Sequence, residues 1–213
     1  MSFFNKIFVG SLLLILGFST VSLADESAKL VVEGQPMISR VKAPSHMENL
    51  DEIRSGWTFR IKETQSLQMD DFENPGMIFV DKGLDLWNKV EGSKNKACAS
   101  CHDDASEFKG LRTVMPRWNE SANALWSLED HVNNCRTEQM GAEPLKWGAA
   151  PMDSLIAVIS LQSRGMPMNV KIDGAVAPLW EIGKELFYTR VGQLDMACSN
   201  CHEDNYGIMI RAD

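Results

Sequence analysis

The chain has 213 residues, of which 44% are hydrophobic and 23% charged. That is globular composition for one or two small domains and excludes a disordered or fibrous chain. The formal net charge of -8 argues against a nucleic-acid partner and suits a basic protein partner or simple solubility. Six Trp and twelve Met supply large apolar bodies and soft, adaptable side chains for irregular surfaces.

The chain opens as an export signal would. Lys6 gives a positive start, residues 7–18 form an apolar run, and Ser22 and Ala24 place small residues at a cleavage site after Ala24. The run is shorter than the ~20 apolar residues that a spanning helix needs. The expectation is therefore a signal peptide over 1–24, a mature chain without a membrane span, and a periplasmic location. Residues 25–81 carry Pro36, Pro44 and Pro75. They read as an irregular N-terminal extension wrapped on the next domain, with His46 in an exposed loop.

An internal repeat with an offset of 100 positions then dominates the sequence. Cys98-Ala99-Ser100-Cys101-His102 returns as Cys198-Ser199-Asn200-Cys201-His202. Around these motifs Gly83 pairs with Gly183, Leu86 with Leu186, Gly92 with Gly192, and Ala97 with Ala197. A unit this long is a duplicated domain rather than a solenoid repeat. Each copy starts with an amphipathic helix. Leu84, Trp87 and Val90 mark the first, Leu179, Ile182, Leu186 and Phe187 the second, and Gly92 and Gly192 stop them. A further helix is predicted over about Leu128–Met140, capped by Ser127 with Glu129 and Asp130 in its first turn. Another spans about Met152–Ser163 and stops at Gly165 and Pro167, with Met166-Pro167-Met168 as a loop closing the edge of a cofactor. No segment shows convincing strand alternation.

The predicted fold is therefore all-α, with two tandem domains, of cytochrome c type on the Cys-x-x-Cys-His haem-attachment signature that each carries. They occupy 82–170 and 171–213, and the second is incomplete. It lacks counterparts of the two later helices, so a parent longer by roughly 60 residues is expected on domain size.

Cys-x-x-Cys-His is the attachment signature of c-type haem. Two thiols one helical turn apart can both add to one porphyrin, and the adjacent His ligates its iron. A zinc ribbon would separate its Cys pairs by ~15–20 residues, and a Cys-x-x-Cys disulfide would not call for His in register twice. Two covalently bound haem c groups are therefore expected, one on Cys98, Cys101 and His102, the other on Cys198, Cys201 and His202.

Cys135 is the fifth cysteine, left over from four thioethers. A thiolate there is a candidate distal ligand of the first haem, with Arg136 beside it to hold negative charge. His131, Met115, Met140 and Met152 are alternatives, and a buried inert Cys is another.

Taken together, Cys98–His102, Asn134-Cys135-Arg136, Ala142-Glu143-Pro144, Arg164-Gly165-Met166-Pro167 and the run from Phe187 to Leu194 resemble the SoxA family. These are dihaem cytochrome subunits of the periplasmic sulfur-oxidation system. The resemblance covers most of the chain. It implies a cysteine S-thiosulfotransferase subunit that pairs with the monohaem cytochrome SoxX and couples thiosulfate oxidatively to a cysteine of the carrier SoxYZ. It also implies His102/Cys135 ligation of the first iron and His202 on the second. The family's sulfur-carrying cysteine is expected about a hundred residues beyond Cys135, past Asp213, so no catalytic residue is assigned within this chain. A plain dihaem electron carrier, a thiosulfate dehydrogenase making tetrathionate, and a dihaem peroxidase are the rival readings.

Overall fold

The structure is a computed structural model that describes residues 29–47 and 49–208. The expected signal peptide lies outside the described residues. Among the described residues six α-helices carry the fold, and three two-stranded antiparallel ladders accompany them.

Four short strands come first: β1 (Val31–Val32) pairs with β2 (Gln35–Pro36), and β3 (Arg40–Lys42) with β4 (Glu52–Arg54). Helix α1 (Lys62–Met69) follows. The helix-rich fold is consistent with an all-α cytochrome; what the sequence did not show is these ladders. At two or three residues per strand they are too short to show a period of two. The extension lies on the first domain through the paired hydrogen bonds of Arg164 to Asp71 at 2.6 and 3.0 Å. It also reaches the second attachment motif. Tyr206 Oη donates to the Arg54 carbonyl at 2.9 Å, and Asn49 donates to Glu203 at 3.3 Å. His46 is half-buried edge-on to Trp180, with ring centroids 5.3 Å apart, and is not the exposed residue expected.

The first domain is built on α2 (Met77–Asn88) and α4 (Ala150–Leu161). Pro151 pre-sets the first turn of α4, and Asp153 meets the positive end of its dipole. The two helices touch at Gly83, where a Cβ would stand 2.2 Å from the Ser154 carbonyl oxygen. Val80, Trp87, Ala105, Met115, Leu128, Leu155, Val158 and Ile159 form the core around that crossing.

A hairpin of β5 (Arg117–Asn119) and β6 (Ala124–Trp126) leads into α3 (Leu128–Asn134). The Ser127 cap is as expected: its hydroxyl accepts from Asp130 N at 3.2 Å while Asp130 accepts from Ser127 N at 2.8 Å. The predicted helix to Met140 divides at Cys135. From there to Met140 the turns widen to π-helix, a form that recurs at functional sites. Gly141, at φ +64°, ends it.

The second copy supplies α5 (Ala177–Tyr188) and α6 (Cys198–His202). Nothing on α5 is buried, and Ile182 and Leu186 are 56% and 64% exposed.

Candidate haem-binding site

Both attachment motifs hang from the same hairpin. Glu91 and Lys96 bridge across it as Val191 and Met196 do. Gly92 and Gly192 both take φ +74°, and Asn95 and Asp195 follow at φ +48° and +47°. Only Gly adopts the first of these without strain, and Asn or Asp tolerate the second. The backbone N–H of Ala97 donates to Ser100 Oγ, and that of Ala197 to Asn200 Oδ1, each at 2.9 Å. The sequence thus turns the chain the same way twice and presents each Cys-x-x-Cys-His at the start of a helical turn.

In the first copy this turn faces a partly open, mainly apolar cavity of about 170 Å³. Cys98 and His102 enter from one side and Cys135 from α3, among Phe108, Leu111, Leu128, Val132, Leu155 and Ile159. Cys101 is exposed and does not line the cavity. Burial pushes the thiols of Cys98 and Cys135 above their ordinary range, and the neighbouring sulfurs, Cys135 for the first and Cys101 for the second, add to it. His102 is held against Phe108 at 4.8 Å and near Trp87 at 6.2 Å between ring centroids.

Two buried donors in the wall, Trp87 Nε1 and His131 Nε2, have no hydrogen-bond partner among the described residues. An apolar slot with thiols and imidazoles turned inward and orphaned donors in its wall fits a covalently held porphyrin. Cys98, Cys101 and His102 would hold it, and Cys135 would be available to its iron.

Of the other distal candidates, His131 and Met115 line the cavity, whereas Met140 and Met152 are buried outside it. Arg136 lines it too, but its guanidinium is engaged elsewhere. It donates to Glu91 at 2.8 Å and to the Glu143 carbonyl at 3.1 Å, so it acts first as a strut between the hairpin and the Cys135 helix. Burial and the charge of Arg117 lower the His131 pKa, favouring neutral imidazole. The Met166–Met168 loop does not close this cavity. Gly165, at φ +74°, turns it toward Met37 and Ile38, where it lines a groove on the N-terminal extension.

In the second copy His202 lies 6.3 Å from Phe187, matching the first-copy spacing to Trp87. Cys198 and His202 are exposed, and the nearby hollow is lined by His46, Met47, Trp180, Phe187 and Tyr188 rather than by the motif.

A family model described as SoxA/TsdA, cytochrome c domain, matches residues 82–168. The L-cysteine S-thiosulfotransferase subunit SoxA of Pseudaminobacter salicylatoxidans is 45% identical over 203 residues, 94% of this chain and 70% of that protein. The chain belongs to the SoxA family. Its counterpart in Paracoccus pantotrophus is 52% identical over 180 residues, 83% of this chain and 61% of that protein. The crystal structure of SoxXA from P. pantotrophus superposes with a TM-score of 0.81 at 49% identity, covering 87% of this chain and 72% of that one. The chain thus spans 61–72% of the length of these relatives. A SoxA cytochrome c domain implies covalently bound haem c. What sequence reasoning missed is the polar pair Arg117 and His131 at the cavity wall: Arg117 carries no motif, and His131 drew notice only as a possible ligand.

Proposed function

We propose that this chain is the haem-bearing portion of an exported L-cysteine S-thiosulfotransferase subunit, which couples thiosulfate oxidatively to a cysteine of a carrier protein. The observation that carries the reading is Cys135. The leftover thiol stands in the same cavity wall system as Cys98 and His102, in a chain that aligns over most of its length with SoxA proteins. Two haem c groups are assigned, on Cys98, Cys101 and His102 and on Cys198, Cys201 and His202. His102 and Cys135 would ligate the iron of the first, and His202 that of the second. Bound haem supplies a one-electron acceptor and relay.

The chain's own residues do the positioning. The hairpin presents each thiol pair, α3 brings Cys135 across the slot, and the apolar walls exclude water. Residues 82–170 and 171–213 are the two cytochrome c-type units, the second lacking counterparts of α3 and α4 within this sequence. Residues 1–24 direct export to the periplasm. SoxX is the partner, since the crystal structure that superposes on this chain is that of SoxXA, and SoxYZ is the carrier by family resemblance. No residue within 1–213 is assigned the sulfur chemistry.

The test incubates the exported protein, with its monohaem partner and the carrier, with thiosulfate. A thiosulfate mass adduct on the carrier cysteine is expected. Free tetrathionate would replace the reading with a dehydrogenase, and neither product would leave an electron carrier. In the same preparation, Cys135→Met is expected to abolish the low-spin thiolate EPR signal of the first haem; an unchanged signal removes Cys135 from the ligands.

A further inference from the structure

Haem c carries two carboxylates that no attachment motif accounts for. A buried carboxylate needs cationic or hydrogen-bonding partners. Besides the ligating set, the polar side chains in the first cavity's wall are Arg117, His131, Arg136 and the indole of Trp87. Arg136 is committed to Glu91 and the Glu143 carbonyl. Trp87 belongs to the wall of His102 and Phe108. Two groups remain, and the fold brings them together. Arg117 pairs across the β5–β6 hairpin with Trp126, and Trp126 stands edge-on to His131 with centroids 5.1 Å apart. No acidic group lies within 4 Å of Arg117 among the described residues, and the buried His131 Nε2 has no partner among them.

We propose that Arg117 and His131 form the propionate anchor of the first haem, with the β5–β6 hairpin as its scaffold. The guanidinium supplies fixed positive charge and a planar donor fork suited to a carboxylate. The imidazole supplies one further donor and is kept in place by Trp126. The hairpin thereby acquires a role: it delivers an uncommitted charge to a slot whose other cation, Arg136, is held by Glu91. This inference rests on the first haem being present, as proposed above.

The test measures the reduction of the first haem in the purified holoprotein, with its haem content counted separately. Arg117 is exposed on an edge strand, so Arg117→Gln is expected to fold. Loss of the cation should disfavour the reduced haem. The ratio of reduced to oxidised first haem at a fixed solution potential is expected to fall about tenfold, ~59 mV for a one-electron couple. His131→Leu is expected to shift the propionate bending band in the resonance Raman spectrum while leaving the thiolate EPR signal in place. Arg117→Lys should restore most of the potential. Lys171→Gln removes the same charge from the neighbouring hollow, whose wall Arg117 shares, and should change neither readout. An equal fall in Lys171→Gln, a propionate band unmoved in both cavity variants, or loss of the thiolate signal in His131→Leu overturns the anchor. A parent protein lacking the first haem overturns the cofactor reading itself and is recognised by the haem count.

Discussion

The two copies share a backbone and differ in surroundings. Their hairpins agree in bridge, glycine φ and cap, and Ala97 and Ala197 are buried alike at 5% and 6% exposure. Around them the first copy has α3 and α4. Trp87 is 4% exposed, whereas Leu186, the counterpart of the half-buried Leu86, is 64% exposed. The attachment geometry is therefore a local product of turn chemistry and capping, and it forms with or without an opposing wall. The cavity is a tertiary product and exists where α3 and α4 close it. The second copy keeps the residues that close packing would require. Gly183 and Gly192 stand where Gly83 and Gly92 meet the opposing chain, yet a Cβ on either would meet nothing within 4 Å.

Substitutions at paired positions should separate the two effects. The largest difference is expected at Gly83. A Cβ there would sit 2.2 Å from the Ser154 carbonyl and 2.5 Å from Val158 Cγ2, and backbone cannot step aside cheaply. Gly83→Ala should destabilise by about 1–3 kcal/mol, the usual cost of overpacking. Gly183→Ala in the 213-residue chain should be neutral or stabilising by up to ~1 kcal/mol, since Ala is the better helix former. Denaturant melts of the two variants decide it. Equal losses would mean that α5 is covered by something as closely as α2 is.

A smaller contrast is expected at the turns. Gly92→Ala and Gly192→Ala should each lose ~1–2 kcal/mol for a side chain at positive φ. The first should lose more, because its Cβ would also stand 2.2 Å from the Met140 carbonyl. Matching melts for both would show that the hairpin, not its contact with the π-helical turn, sets the cost.

The sequence made this asymmetry partly readable. The repeat and the Ser127 cap, each encoded within a few residues, were visible; α2 and α5, however, end at Asn88 and Tyr188, and Gly92 and Gly192 turn the hairpins rather than stop the helices. The break at Cys135 was not visible, because residues 128–140 carry one continuous helical pattern with no Gly or Pro to mark it. The ladders of the extension escaped notice for lack of length, and the half-burial of His46 depends on Trp180, far along the chain. Of the site, Cys98, His102 and Cys135, which the fold brings to one cavity, were legible. The pairing of Arg117 with His131 was not, since it passes through a cross-strand neighbour and an aromatic contact.

The finest test uses a position where the copies differ in chemistry. Glu91 corresponds to Val191. Hydrogen bonds from Lys89 and then from Arg136 hold the Glu91 carboxyl below its ordinary range. A folded pKa below the unfolded one stabilises the native state above the unfolded value, and that gain is lost as pH falls through the folded value. The ion pair to Arg136, between an exposed and a buried case, should contribute about 1 kcal/mol at neutral pH. Glu91→Gln should therefore lower stability at pH 7 by that amount and make the acid limb below about pH 4.5 shallower. Val191→Gln, at the matching turn, should leave the acid limb as it was, because no titrating group is removed there. Identical acid limbs for Glu91→Gln and the parent would show that the strut between the hairpin and the Cys135 helix does not depend on the Glu91 charge.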